Sequence, residues 1–169
     1  MRVLVTAASR HGSTAEIATE LGKVLRAALP GVGVDVVPLS RVGDFTGYEA
    51  VVLGSAVYFG QWLDEARWQL TTHAEELRRR AVWLFSSGPV GDPSFPQAEP
   101  AEAVQLAAEV GARDHVVFPG AVHHELLDFR ERLAVGLDGW SAGDYRSWTA
   151  VRAWADRIAA ELRAGTAVR

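Results

Sequence analysis

The amino-acid sequence predicts an α/β fold, in which a parallel sheet carries helices on both faces. Short runs that are apolar throughout alternate with longer amphipathic segments along the chain. Such runs are typical of parallel strands that are buried on both faces. The alternation of strands and helices requires crossover connections, which cover both faces of the sheet. A length of 169 residues suits one domain with a good core, so we predict a single domain over residues 1–169.

The predicted elements follow the order βαβ, βα, βα, β and a terminal helix. Five apolar runs predict strands at Arg2–Thr6, Val32–Pro38, Ala50–Gly54, Ala81–Phe85 and His115–Pro119. Apolar residues at helical spacing predict helices at Ser13–Leu29, Trp62–Arg80, Ala101–Gly111, Leu126–Leu137 and Ser147–Arg163. Pro30 and Gly111 mark helix ends, and Pro38 suits a strand at the edge of the sheet.

The composition excludes several functional classes. A net charge of −4 gives no electrostatic case for nucleic-acid binding. The absence of cysteine excludes disulfides, thiolate catalysis and Fe–S clusters, so any redox chemistry must come from a bound cofactor. The sequence shows no signal-peptide pattern and no apolar run long enough to span a bilayer. We therefore expect a cytoplasmic protein without a transmembrane segment.

The loop after the first strand has the features of an anion site. It joins a buried strand to a helix and consists of Ser9, Arg10, His11, Gly12, Ser13 and Thr14. Backbone N–H groups converge at such a helix start, where the helix dipole adds partial positive charge. Gly12 allows a positive φ or a close approach to a ligand. Ser13 and Glu16 also fit a capping box, and a capped helix start without a ligand remains the alternative.

Two further loops follow the third and fourth strands. Ser55–Trp62 places three aromatic residues beside Gly60, and aromatic faces can sandwich a planar ring. Ser86–Asp92 is small and turn-rich, and it offers backbone groups to a polar ring edge. In parallel sheets, ligands bind outside the carboxyl ends of the strands. Together the three loops indicate a phosphorylated planar cofactor, whereas core packing and plain surface are the alternatives.

Other phosphate and metal motifs do not fit. The sequence contains neither G-x-x-x-x-G-K-[ST] nor G-x-G-x-x-G. Residues 6–8 are Thr-Ala-Ala rather than paired acids, which argues against a receiver-type magnesium site. His123 and His124 are adjacent, and adjacent side chains on a strand point apart. We predict no metal site.

The basic run Arg78–Arg80 is explained by the last turn of a helix, where cations suit the dipole.

The first loop is similar to the phosphate loop of the flavodoxin family, [ST]-x-[TD]-G-x-T, and departs from it at His11. V-L-G-S-A-V-Y-F-G, P-G-A-V-H-H and S-W-T-A-V-R-A-W-A-D-R-I-A resemble the menaquinone-dependent protoporphyrinogen oxidase branch of flavodoxin-like proteins. This resemblance covers nearly the whole chain. It implies a flavodoxin-like three-layer sandwich whose five-stranded parallel sheet has the order 2-1-3-4-5, and it implies FMN as the cofactor.

The resemblance also implies which residues bind FMN. The phosphate would be held by Ser9, Arg10, His11, Gly12, Ser13 and Thr14. One side of the isoalloxazine ring would be flanked by Val57, Tyr58, Phe59, Gly60 and Gln61. Its other edge would contact Ser87, Gly88, Pro89, Val90 and Gly91. The sequence assigns no general acid or base.

The leading hypothesis is an FMN-dependent oxidoreductase acting on protoporphyrinogen or a quinone. Residues Glu125–Arg146 are, however, shorter and more mixed in charge than the basic insertion of that branch. The second hypothesis is a non-enzymatic electron carrier with a protein reductase as its partner. The third is a flavin-free binding module, motivated by His11 and by Leu126–Leu137. That amphipathic segment would dock a partner, a second subunit in a homodimer or a membrane surface, whereas packing on its own sheet is the alternative.

Overall fold

The structure, a computed structural model, describes residues 1–88, 99–122, 124–126, 130, 132 and 142–166. Within these residues the strands are β1 (Arg2–Ala8), β2 (Gly33–Pro38), β3 (Ala50–Tyr58), β4 (Gln61–Trp62), β5 (Ala81–Ser87), β6 (Asp114–Phe118), β7 (Ala121–Val122) and β8 (Gly143–Asp144). The α-helices are α1 (Ser13–Ala28), α2 (Asp64–Thr72), α3 (Ala74–Leu77), α4 (Ala101–Val110) and α5 (Trp148–Thr166). Two 3₁₀ turns span Leu39–Arg41 and His124–Leu126.

The main sheet has the strand order β2-β1-β3-β5-β6, and these strands are parallel. Counted along the predicted strands, this order is 2-1-3-4-5, so the predicted three-layer α/β fold is confirmed. Strand β4 adds an antiparallel partner to β3. Strand β2 lies at an edge of the sheet, where Pro38 pairs with Ala7 of β1. Proline has no backbone N–H to donate, and an edge strand has no second neighbour that would need this donor.

Alternate residues of the central strands build two cores, one on each face of the sheet. Val3 and Val5 of β1 pack with buried residues of α1 and α5. Leu4 of the same strand packs with buried residues of α2, α3 and α4. Each central strand therefore buries both of its faces, which explains why these segments are apolar throughout.

Three strands extend beyond their predicted ends at Thr6, Gly54 and Phe85. The predictions of β3 and β5 stopped before Ser55 and Ser86, and that of β1 stopped at Thr6, but all three polar residues are fully buried. Pairing with the neighbouring strands continues past them, as in the contacts of Ala8 with Ser55 and of Ser87 with Phe118. Residues 55–58 and 86–87 consequently lie in strands rather than in loops.

The single helix predicted over Trp62–Arg80 is wrong. Trp62 pairs with Val57 in the sheet, and α2 starts only at Asp64. The helix is interrupted at His73, whose φ of −105° and ψ of 18° leave the helical region. Two adjacent threonines precede this break, and β-branched residues weaken a helix end.

The basic run Arg78–Arg80 follows α3 instead of occupying a helical last turn. Arg78 Nε donates to the carbonyl oxygen of Glu109 at 2.6 Å. Arg80 Nε donates to the carbonyl oxygens of Phe45 and Tyr48 at 2.8 and 2.9 Å. Both side chains therefore have structural roles, although these roles differ from the predicted contact with a helix dipole.

The segment between β6 and α5 contains a two-stranded antiparallel sheet that the sequence did not indicate. It pairs Ala121 with Asp144 and Val122 with Gly143. Most of the predicted helix Leu126–Leu137 lies outside the described residues, and Leu126 itself belongs to a 3₁₀ turn and is exposed. The predicted terminal helix is present as α5, shifted by one residue at its start and extended to Thr166.

Candidate cofactor site

The phosphate loop, Ser9–Thr14, is shaped by Gly12. Gly12 is the N-cap of α1 with a φ of 91°, a conformation that favours glycine. Its N–H donates to Ser9 Oγ at 3.2 Å, and its carbonyl oxygen accepts from the Glu16 N–H at 2.9 Å. A Cβ at Gly12 would meet no atom within 4 Å. The loop therefore has free space beside Gly12, next to the N–H groups of the first turn of α1, which have no intrahelical acceptors.

The predicted capping box of Ser13 and Glu16 is wrong because Gly12, and not Ser13, precedes the first helical turn. Ser13 Oγ instead accepts a hydrogen bond from the Ala121 N–H at 3.2 Å. This contact joins the phosphate loop to the chain that leaves β6. The Ser13 oxygen thus helps to join two segments at the carboxyl edge of the sheet.

Arg146, which sequence reasoning did not single out, lies behind the phosphate loop. Its side chain is 7% exposed and donates to Glu16 Oε2 at 2.6 Å and to Asp144 Oδ2 at 2.7 Å. It also donates to the carbonyl oxygen of Ser13 at 3.4 Å and covers the ring of Trp148 at 4.6 Å. The hydrogen bond with Asp144 and that with Glu16 raise the pKa of Arg146 above its ordinary value, against the effect of burial. A permanently charged side chain therefore ties the start of α1 to the segment before α5.

The second predicted loop is a tight hairpin between β3 and β4. Val57 and Tyr58 belong to β3, and Gln61 begins β4. Phe59 and Gly60 form the turn, with φ values of 51° and 75°. Positive φ at both turn residues is what a type I′ hairpin turn requires, and it is unusual for a phenylalanine. The turn leaves the Phe59 side chain 72% exposed at the edge of the sheet.

The hairpin lies next to the phosphate loop. The ring centroids of Tyr58 and His11 are 6.2 Å apart in an edge-on arrangement. The guanidinium carbon of Arg10 lies 5.6 Å from the Tyr58 ring centroid. The structure therefore brings the first two predicted groups of site residues together.

The third predicted group also reaches this edge, as far as it is described. Ser87 ends β5, and the Gly88 N–H donates to the carbonyl oxygen of Phe118 at 3.0 Å. Gly88 has a φ of 84°, and a Cβ there would lie 3.8 Å from the carbonyl oxygen of Val57. Gly88 is therefore adjacent to the hairpin. Pro89, Val90 and Gly91 lie outside the described residues.

Comparison with known proteins identifies the family. A model described as a flavodoxin domain matches residues 4–148. The chain belongs to the flavodoxin domain family. An archaeal flavodoxin superposes with a TM-score of 0.58 at 13% identity, covering 96% of this chain and 99% of that chain. A cysteine-to-serine mutant of the flavodoxin from Pseudomonas aeruginosa superposes with a TM-score of 0.58 at 17% identity, covering 96% of this chain and 99% of that chain.

A larger protein contains a similar unit. The rubredoxin oxygen:oxidoreductase of Desulfovibrio gigas superposes with a TM-score of 0.65 at 15% identity, and the match covers 96% of this chain and 36% of that chain. Identities this low establish the flavodoxin-like fold and nothing finer. No curated protein sequence matches the chain.

Beneath the edge of this flavodoxin domain, three buried polar groups form a network. Trp62 Nε1 donates to Ser86 Oγ at 2.8 Å, and Ser86 Oγ lies 2.9 Å from His115 Nε2. His115 Nδ1 is 3.6 Å from Glu99 Oε1, and the Trp62 N–H donates to Glu102 Oε2 at 2.9 Å. The network fixes the base of the hairpin against β5 and β6. The sequence placed Trp62 in a helix and gave no sign of this network.

Burial lowers the pKa of His115 below its ordinary value of 6.5, although Glu99 and Asp114 partly oppose this effect. Just below pH 6.5, His115 is therefore protonated to a greater extent in the unfolded chain than in the folded chain. We expect the free energy of unfolding to fall as the pH drops below 6.5, towards the lower folded pKa. Urea unfolding at about pH 7.5 and about pH 5.5 measures this change.

The matched control is His115→Gln, which retains a hydrogen-bonding group near Ser86 and does not titrate. We expect the dependence on pH to be smaller in this variant than in the unmodified chain. An equal dependence in both proteins would assign the effect to other titratable groups.

Within the described ranges, no helix is both long and apolar enough to cross a membrane. The same ranges contain no group of three or more His, Cys, Asp or Glu side chains placed to hold a metal ion. His123 lies outside them.

Proposed function

We propose that the protein binds FMN at the carboxyl edge of its sheet and carries out electron transfer with it. The observation that carries this proposal is the meeting of three segments at one edge: the phosphate loop, the β3–β4 hairpin and Gly88. The ring centroids of Tyr58 and His11 are 6.2 Å apart, and Gly88 is adjacent to Val57. Membership in the flavodoxin domain family and the flavodoxins among the similar structures support the same cofactor.

The chemistry of these groups fits FMN. The phosphate loop contains no carboxylate that would repel a phosphate, and it offers hydroxyls, helix-start N–H groups and the cation of Arg10. Gly12 and Gly60 have open space where a side chain would stand. The loop residues Ser9–Thr14 would hold the phosphate, and Val57–Gln61 with Ser87–Gly91 would flank the ring. When bound, FMN would supply the electron-transfer chemistry, while the chain supplies binding and orientation.

Replacing Gly12 with valine should lower the affinity for FMN by about 100-fold. A β-branched residue does not tolerate a φ of 91°, so the loop must rebuild and its N–H groups lose their convergence. Gly31→Val is the matched control, because Gly31 also has a positive φ of 82° and open space, but it lies at the far end of α1. Both variants should lose similar stability, and only Gly12→Val should lose FMN.

Calorimetric titration of the purified chain with FMN, followed by visible absorbance, makes this measurement. Saturable binding of one equivalent that survives Gly31→Val supports the site. If the unmodified chain binds no FMN, the flavin-free binding module becomes the function of the fold. If both variants bind FMN like the unmodified chain, the phosphate lies elsewhere.

The reaction partner is a separate part of the proposal. Sequence resemblance supports protoporphyrinogen or a quinone as the small-molecule partner. The same fold is equally compatible with an electron carrier, which would exchange electrons with a protein reductase. Anaerobic turnover of the FMN-loaded chain with protoporphyrinogen and a panel of quinones separates these functions. Turnover supports the oxidoreductase, whereas a loaded chain that reacts only with a protein reductase is an electron carrier.

A further inference from the structure

The β3–β4 hairpin, which would flank the flavin ring, is fixed to the rest of the domain through Trp62. This residue pairs with Val57 in the sheet and is 2% exposed. Its backbone N–H donates to Glu102 Oε2 at 2.9 Å, and its side-chain Nε1 donates to Ser86 Oγ at 2.8 Å. The position of the hairpin relative to α4 and β5 therefore depends on two hydrogen bonds of one buried residue.

The hydrogen bond between Trp62 and Ser86 continues to His115. An indole N–H can only donate, so Ser86 Oγ accepts from Trp62 and keeps its own hydrogen for His115 Nε2, which lies 2.9 Å away. The other ring nitrogen, Nδ1, faces Glu99 Oε1 at 3.6 Å, and a carboxylate there favours a proton on Nδ1. The neutral imidazole protonated at Nδ1 thus completes a chain of hydrogen bonds that run in one direction from Trp62 to His115.

A proton added to Nε2 of His115 breaks this order. The protonated nitrogen donates to Ser86 Oγ, so the Ser86 hydroxyl hydrogen loses its acceptor. Ser86 is fully buried, so solvent does not replace this acceptor, and a buried donor without a partner is unfavourable. The Ser86 side chain must then rotate, and the oxygen that anchors Trp62 Nε1 moves with it. Protonation of His115 therefore weakens the anchor of the hairpin.

The charges around His115 leave this imidazole as the group that titrates. Burial lowers its pKa, while Glu99 before α4 and Asp114 on β6 oppose that effect in part. Glu102 of α4 is paired with Arg67 of α2 at 3.1 Å. Strands β4 and β5 contain no charged residue. The side chain of His115 is only 6% exposed, so its protonation is felt by the buried hydrogen bonds rather than by solvent.

We infer that His115 is a positioning residue for the flavin: its neutral imidazole holds Trp62, and through it Val57–Gln61, where the hairpin flanks the ring, and its protonation weakens flavin binding. The inference rests on the proposed FMN site and adds a dependence on pH to it. Because coupling between two binding equilibria is reciprocal, bound FMN must make His115 harder to protonate by the same factor.

Calorimetric titration of the purified full chain with FMN at about pH 7.5 and about pH 5 tests the inference, with circular dichroism to verify that each protein is folded. The phosphate of FMN also titrates in this range, but its contribution is common to all variants. His115→Gln does not titrate and retains an acceptor for the Ser86 hydroxyl. We expect the unmodified chain to lose about fivefold more affinity between the two pH values than this variant loses.

Two further variants isolate the route through Trp62. Trp62→Phe retains an aromatic ring without Nε1, so it should lose the same excess dependence on pH, and it serves as a second variant if His115→Gln fails to fold. His73→Gln is the matched control, because His73 Nδ1 also lies near a carboxylate, 3.2 Å from Glu76 Oε2, but between α2 and α3. It should keep the full dependence of the unmodified chain.

NMR titration of the His115 imidazole gives a second readout. Bound FMN should lower the midpoint by about 0.7 of a pH unit, which corresponds to the same fivefold factor. An unchanged midpoint overturns the inference and leaves the proposed FMN site intact. The same conclusion follows if His115→Gln and the unmodified chain lose equal affinity at the lower pH. Absence of FMN binding at both pH values overturns the proposed function, and this inference with it.

Discussion

Replacing Gly54 with alanine should lower the free energy of unfolding by about 3 kcal/mol. Gly54 lies in the central strand β3, directly beside Phe85 of β5. A Cβ at Gly54 would stand 2.1 Å from Phe85 Cζ and 2.3 Å from its two Cε atoms. The Phe85 ring is fully buried and has Phe118 and Trp154 at centroid distances of 6.1 Å, so neighbouring rings restrict its movement. The added methyl group must displace packed aromatic rings.

Urea unfolding of the two proteins measures the difference. Gly43→Ala is the matched control, because a Cβ at Gly43 would meet no atom within 4 Å. We expect that variant to stay within about 0.5 kcal/mol of the unmodified chain. A change of the same size for Gly54→Ala would show that Phe85 can move aside at little cost.

Replacing Trp154 with alanine should lower the free energy of unfolding by about 4 kcal/mol. Trp154 is 2% exposed and anchors α5 on the sheet. Its ring packs edge-on against Phe85 and Phe118 at centroid distances of 6.1 and 5.7 Å. Its Nε1 donates to Asp114 Oδ2 at 2.8 Å. The truncation leaves a cavity between helix and sheet and removes a hydrogen bond at the edge strand β6.

The variant Trp154→Phe separates the two contributions. It retains an aromatic ring against Phe85 and loses the hydrogen bond to Asp114, so we expect a loss of about 1–2 kcal/mol. Thermal and urea unfolding should rank the unmodified chain first, Trp154→Phe second and Trp154→Ala last. Equal losses in the two variants would assign the stabilisation to the hydrogen bond and not to packing.

The sequence predicted the parts of the fold that depend on burial. The central strands are apolar because both of their faces are covered, and this pattern is visible without a structure. Strand ends were missed because Ser55 and Ser86 are buried in polar networks that join distant segments. The break at His73 was missed because the amphipathic pattern continues through it.

The candidate site was predictable only in outline. Gly12 signals a tight turn in the sequence, and its φ of 91° agrees with that expectation. Nothing local indicates that Phe59 adopts a positive φ, because a phenylalanine rarely does so. Arg146 could not be found either, since its partner Glu16 lies 130 residues away. Contacts of this kind are created by the fold and leave no periodic signal.

The small β7–β8 sheet aligns the chain that leaves β6 with the chain that enters α5. Val122 pairs with Gly143, so the two ends of the intervening segment are fastened to each other. After β8, Arg146 donates to Glu16 of α1. At β7, the Ala121 N–H donates to Ser13 at the start of the same helix. The register of β7 with β8 therefore sets the position of Arg146, three residues after Gly143, relative to α1. A one-residue shift in this pairing would move Arg146 along the chain and away from Glu16, so the short sheet aligns two segments that lie far apart in the sequence.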